Sequence, residues 1–197
     1  MKSRMKFALP VLLFALAIAL PAFGAYEYPL SSSAIREAYF LGTGSTRGDA
    51  DFLAQYSHTI AKLTAGSYTS VVRIETPYSQ VAERAAETLN YSADDAVKEF
   101  RGKPIDFRMN LDICVKSGAE KSIEIKVLQH GKEIVLRSAH HSPYFAPQEA
   151  DSSLPRIGEH IQLVFDARGI DASPLVIEID AGNGQHAENT FDLTTLR

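Results

Sequence analysis

The chain of 197 residues contains a single cysteine, Cys114, and no tryptophan. One cysteine cannot form a disulfide bond within the chain, so ordinary apolar packing must stabilise the fold even in an oxidising compartment. A basic excess is also missing: the formal net charge is −4, and it becomes −7 without the three basic residues among the first 24. Phosphate backbones need a basic footprint, so we expect no nucleic-acid partner.

The chain has no apolar run of the ~20 residues that a membrane-spanning helix needs. Its N-terminal run, residues 7–23, is 17 residues long, contains two prolines and follows three basic residues. Ala22 and Gly24 stand at the −3 and −1 positions of a cleavage site. This pattern predicts a secretory signal peptide over residues 1–24, an exported mature protein in the periplasm or outside the cell, and no stable membrane insertion after cleavage. A retained membrane anchor is the alternative.

Motifs for metal binding and catalysis are missing as well. The six histidines form no His-x-His and no His-Glu-x-x-His pattern, and the single cysteine has no cysteine partner. No Gly-x-Ser-x-Gly elbow presents a nucleophile. The sequence therefore predicts no catalytic residue, no metal site and no cofactor.

The clearest structural signal is the alternation over residues 105–115. Six apolar side chains occupy every second position in this segment: Ile105, Phe107, Met109, Leu111, Ile113 and Val115. Successive side chains of a strand point to opposite faces, so this segment predicts a long strand with one dry and one wet face.

Helices are predicted before this strand. Residues 34–41 have one apolar side, and Gly42 and Gly44 are expected to end that helix. Phe52, Leu53, Tyr56 and Ile60 recur at helical spacing and predict a second helix. Residues 79–89 fit either a helix or an irregular continuation of a strand over residues 71–76.

The best-defined helix lies near residues 92–101. Ser92 and Asp95 match a capping box, and Gly102 occupies the position that ends a helix. Since Pro104 prevents continuation, the chain passes directly into the strand that begins at residue 105.

Period-two patterns continue after the long strand and predict hairpins. A turn at His130-Gly131 places Val127 opposite Ile134 and Glu124 opposite Arg137, and a later turn places Leu175 opposite Phe191 and Ile179 opposite Ala187. About seven strands in all predict a mainly β chain, α+β at its N-terminus.

The predicted fold is an antiparallel two-layer β-sandwich, immunoglobulin-like or related, preceded by short helices. The domain organisation would then be a signal peptide over 1–24, a helical region over 25–65, and a sandwich over 66–197 with an inserted capping helix.

A stretch without periodicity, residues 139–158, is predicted to be a long loop. Loops longer than ~12–15 residues are uncommon in compact domains unless they are functional or disordered. Tyr144 and Phe145, with His140 and His141, are therefore the predicted contacts for a partner. The alternative is that the two aromatic residues fasten the loop to the sandwich.

Four blocks of the sequence resemble a family of uncharacterised exported bacterial proteins. They are Ala-Ile-Arg-Glu-Ala-Tyr-Phe-Leu-Gly at 34–42, Thr-Pro-Tyr-Ser-Gln-Val at 76–81, Tyr-Ser-Ala-Asp-Asp-Ala at 91–96 and Phe-Asp-Leu at 191–193. The resemblance implies a shared architecture and no known activity.

These observations predict a non-enzymatic envelope or secreted module, which binds an unknown protein or glycan or has a structural role. The alternative is an extracytoplasmic hydrolase whose site is assembled only by the fold. A cleft in which Asp, Glu or His side chains converge would distinguish the second from the first.

Overall fold

The computed structural model describes residues 26–44, 51–60, 70–116, 123–146, 156–180 and 186–197. These residues form a mainly β fold in which two antiparallel sheets share one apolar core, as in a β-sandwich. The predicted fold class is therefore confirmed. The predicted signal peptide lies outside the described residues.

Nine strands are found in the described part of the chain. They are β1 (Ser57–Ile60), β2 (Ser70–Glu75), β3 (Phe107–Lys116), β4 (Glu124–Gln129), β5 (Lys132–Glu133), β6 (Leu136–Ala146), β7 (Arg156–Phe165), β8 (Leu175–Asp180) and β9 (His186–Phe191). The first sheet has the order β1-β2-β3-β7-β6, and the second has the order β5-β4-β8-β9.

The predicted long strand is β3, the middle strand of the first sheet. Phe107, Met109, Leu111 and Ile113 on its dry face are at most 1% exposed. β3 pairs with β2 on one side and with β7 on the other, so its dry face lies at the centre of the core.

The second sheet confirms one predicted register. Leu175 lies opposite Phe191 and Ile179 opposite Ala187, and all four side chains are buried. Apolar pairing across the two strands therefore fixed this register, as the alternation indicated.

The hairpin at His130-Gly131 was predicted correctly only near its turn. Leu128 lies opposite Glu133, and the N–H of Ile134 donates to the carbonyl of Val127 at 2.8 Å. The chain then leaves the second sheet, so the predicted pairing of Glu124 with Arg137 is wrong.

Arg137 instead forms ion pairs in the first sheet. Its guanidinium contacts Asp106 and lies 2.7 Å from Asp166. Asp106 directly precedes β3, and Asp166 directly follows β7. Both carboxylates attract Arg137 at the point where the chain has crossed from β5 in the second sheet to β6 in the first.

Four α-helices accompany the sheets in the described residues. They are α1 (Ser32–Gly44), α2 (Asp51–Ala54), α3 (Pro77–Glu87) and α4 (Ala93–Phe100). Three of them, α1, α3 and α4, supply most of a second apolar cluster. None of the described helices is long and apolar enough to cross a membrane.

The structure contradicts the prediction of the second helix and decides the alternative over residues 79–89. The spacing that predicted a helix as far as Ile60 gives only the four residues of α2, followed by β1. Tyr56 and Ile60 are both buried, and tertiary packing overrides the weak local signal there. The open alternative over residues 79–89 is settled as helix α3, which begins at Pro77 with Thr76 as its N-cap.

The capping box of α4 gives a testable prediction. The Ser92 hydroxyl and backbone N–H lower the pKa of the Asp95 carboxyl. We expect Ser92→Ala to lower the free energy of unfolding by about 1 kcal/mol at pH 7, because an orphan N–H of the helix loses its acceptor. The lowered pKa gives stability that is present above the ordinary carboxyl pKa and lost as the pH falls.

Urea unfolding at pH 7 and pH 3 measures this effect. The difference between Ser92→Ala and the unsubstituted protein should shrink at pH 3, because the stability that comes from the lowered pKa of Asp95 is lost as the pH falls. Ser138→Ala, at an exposed position of β6, serves as the control and should change stability little at either pH. An equal cost at both pH values would contradict the role of Asp95.

Candidate functional site

The predicted binding residues lie on a hairpin of two long strands, β6 and β7. These strands pair over ten positions, with one irregularity between Leu136 and Ser138. The predicted long loop is wrong for the described part of residues 139–158, because residues 139–146 and 156–158 are strand. The sequence did not predict β6 as a strand, because this segment has no apolar alternation and contains Pro143.

β6 is exposed on both of its faces. Every described side chain from Leu136 to Pro143 is exposed, whereas a strand in a sandwich normally buries every second side chain. β1 and β9 contact each other at one side of the sandwich, so β6 lies at the other side, where the second sheet ends in the two-residue β5. The second sheet therefore leaves β6 uncovered.

The edge of the first sheet is also open at β6. Its one neighbour among the described strands is β7, so the opposite backbone edge has no ladder partner there. An edge strand of this kind presents a row of unpaired N–H and C=O groups. With 11 residues, β6 is longer than most strands in globular proteins.

The two predicted histidines lie side by side at the middle of β6. His141 Nδ1 is 2.8 Å from Glu159 Oε1 on β7. His140 lies opposite Gln162 and has no hydrogen-bond partner among the described residues. Adjacent strand residues point to opposite faces, so the fold brings these two imidazoles to one edge but not to one site.

The two predicted aromatic contacts follow on the same strand. In the backbone register, Tyr144 lies opposite Gly158 and Phe145 lies opposite Ile157. All four predicted partner-binding residues therefore belong to β6.

Polar residues connect the strands on the outer face of the first sheet. Asn110 Nδ2 donates to Glu75 Oε1 at 2.5 Å, and Gln162 Nε2 donates to Asn110 Oδ1 at 3.1 Å. These residues are the wet-face positions of β2, β3 and β7. The two hydrogen bonds join these three side chains and make this face a polar surface in the described part of the sheet.

A second group on that face contains Ser, His and Asp. His160 Nδ1 lies 2.8 Å from Asp112 Oδ1, and Ser142 lies opposite His160 in the register of β6 and β7. No motif in the sequence indicates this group. The alternation over residues 105–115 places Asp112 on the wet face, but only the strand order places β3, β7 and β6 next to one another.

Another Ser, His and Asp group lies beside a cleft of about 500 Å³. His130 Nε2 is 2.8 Å from Asp171 Oδ2 and 3.0 Å from Ser173 Oγ. Hydrogen bonds from Ser173 and His130 lower the pKa of Asp171 to about 2. A catalytic triad needs the carboxylate and the serine on different ring nitrogens, so this group does not have a triad geometry.

The group instead stabilises the connection between β7 and β8, which contains Asp171 and Ser173. Gln129, only 5% exposed, donates to the carbonyls of Asp171 and Ser173 at 3.0 and 2.9 Å, and its own carbonyl oxygen accepts from the Asp171 N–H. A buried amide with its hydrogen bonds satisfied holds the backbone of this connection in place.

Metal ligands do not converge in the described part of the chain, where no group of three or more His, Cys, Asp and Glu residues could hold a metal ion. The candidate site is therefore the hairpin of β6 and β7, with the open edge of β6 as its most accessible part.

No family model, curated protein or solved structure matches this chain.

Proposed function

We propose that this chain is a non-enzymatic binding module that captures a protein through β6. One observation carries the proposal: the described side chains of β6 are exposed on both faces, and its outer backbone edge has no ladder partner among the described strands. Such a strand offers a partner both main-chain hydrogen bonds and side-chain contacts. The N-terminal pattern and the resemblance to exported bacterial proteins support a location in the envelope or outside the cell.

Tyr144 and Phe145 provide the test of this proposal. Replacing both by alanine is expected to weaken partner capture about 30-fold, because aromatic residues often supply the largest part of the binding energy. Capture from an envelope extract by the immobilised protein, followed by titration with the purified partner, measures the change. The melting temperature should stay the same. A lower melting temperature with unchanged capture would show that the two residues pack within the fold, and it would overturn their role in binding.

A hydrolase is the second candidate function, and the group on the outer face favours it. Asp112 contacts Nδ1 of His160, Nε2 has no hydrogen bond to any described residue, and Ser142 is the cross-strand neighbour of His160. In a triad the carboxylate orients the imidazole through Nδ1 while Nε2 faces the serine. The exposed, flat position of this group on a sheet argues against strong activation of the serine.

Hydrolysis of a simple aryl ester distinguishes the two functions. The binding module should hydrolyse the ester no faster than its Ser142→Ala and His160→Ala variants. A rate that falls at least a hundredfold in both variants would support the hydrolase and contradict a purely non-enzymatic role.

A further inference from the structure

Two features of β6 limit the part of its open edge to which a partner strand can add. The irregular register between Leu136 and Ser138 interrupts one end. Pro143 lacks an N–H, and a proline in an edge strand belongs with its nitrogen towards the open side. Backbone N–H directions alternate along a strand, so the N–H groups of Ala139 and His141 face the same open side.

The charge of β6 indicates what kind of strand fits. Residues 136–146 contain one arginine, two histidines and no acidic residue, although the chain as a whole is acidic. The groups that face the two imidazoles are Glu159 beside His141, and His160 and Asp112 on the strands behind them. His140 has no acidic partner among the described residues, so it is the residue best placed to receive one from outside.

A second copy of this chain fits the edge less well. In an antiparallel two-fold pairing centred on this segment, the histidines of one copy would lie opposite those of the other. Like charges directly opposite each other destabilise a strand pair, and protonation of the imidazoles would increase the repulsion. For an acidic partner strand, protonation of the imidazoles would instead increase the attraction.

We propose that an extended acidic peptide adds as a sixth strand to the first sheet, with its backbone bonded to Ala139 and His141 and its acidic side chains near His140. This inference rests on the proposed function and names the chemistry of its partner. An imidazolium attracts a carboxylate more strongly than a neutral imidazole does, so we expect binding to become tighter at lower pH. His141 contributes less to this effect, because its side chain points to the other face of the sheet and Glu159 already lies beside it.

The probe is an eight-residue peptide of alternating Glu and Val with blocked termini, titrated against the purified protein at pH 7.5 and pH 5.5. We expect its affinity to rise roughly three- to tenfold at the lower pH, as one or two charge pairs would give. His140→Gln should remove most of this rise, and His141→Gln a smaller part. A peptide of alternating Lys and Val should bind at least tenfold more weakly at pH 5.5.

Two further variants test the backbone bonds. Ala139→Pro removes an N–H on the open edge and should abolish binding of the Glu–Val peptide, whereas Ala139→Val keeps the N–H and should bind within a factor of about three. N-methylation of alternate residues of the peptide should also abolish binding, and this arm does not depend on the folding of any protein variant.

Several results would overturn the inference: equal binding of the N-methylated peptide, equal binding of the Lys–Val peptide, or a dimer of the protein that Ala139→Pro dissociates. Capture of an envelope partner that survives Ala139→Pro would refute strand addition and leave the binding module intact. Failure of the unsubstituted protein to capture any partner would refute the proposed function itself.

Discussion

Replacing Gly42 by alanine is expected to lower the free energy of unfolding by about 2–3 kcal/mol, as overpacking of a well-packed contact does. Gly42 lies inside α1 and is buried against α3. A Cβ at this position would lie 2.0 Å from the carbonyl oxygen of Ala82, a backbone atom that cannot rotate away. The helices must then separate, although alanine alone would favour the helix by about 1 kcal/mol over glycine.

Gly44, two residues later, provides the matched control. No atom lies within 4 Å of a Cβ built at this position, so Gly44→Ala should be neutral or slightly stabilising. Urea unfolding followed by circular dichroism gives both values. Equal effects of the two substitutions would show that the helix backbones do not meet at Gly42.

The contrast between these glycines also shows what the sequence could not predict. Both fitted the pattern of residues that end a helix, yet α1 continues to Gly44, and Gly42 allows close contact with α3. A local pattern contains no information about which element packs against it. The capping box of α4, by contrast, was predicted correctly because its hydrogen bonds lie within four consecutive residues.

Strand pairing shows the same difference between local contacts and contacts distant in sequence. The pairing of Leu175 with Phe191 was predictable because a short turn and matching apolar faces determine it. The first pairs after His130-Gly131 were predictable for the same reason. The departure of the chain at Arg137 was not, because it involves Asp106 and Asp166, about 30 residues away on either side.

The candidate site was predictable in part. The four predicted partner-binding residues do lie on one element, but the sequence indicated a loop where the fold has an edge strand. An edge strand exposed on both faces does not need apolar alternation, so it has no period-two signal. The row of Asp112, His160 and Ser142 depends on the strand order β3-β7-β6, which no short-range pattern contains.

Replacing Phe107 by alanine is expected to have the largest effect on stability, a loss of about 3–5 kcal/mol. Its side chain is fully buried on β3, and its ring contacts Phe165 and Tyr26 edge-on, with centroid distances of 6.4 and 6.2 Å. Truncation removes these contacts and leaves a cavity between the sheets. For a chain of this length the loss corresponds to a decrease of about 6–20 °C in melting temperature.

Phe40, on α1, is the matched control of the same residue type. Its side chain is 63% exposed and contacts Tyr39, so Phe40→Ala should cost less than about 1 kcal/mol. Urea unfolding of both variants decides the comparison. If Phe107→Ala costs no more than Phe40→Ala, the dry face of β3 is not the centre of the core. A large difference would instead show that the dry face of β3, which the alternation over residues 105–115 predicts, lies in the core between the two sheets.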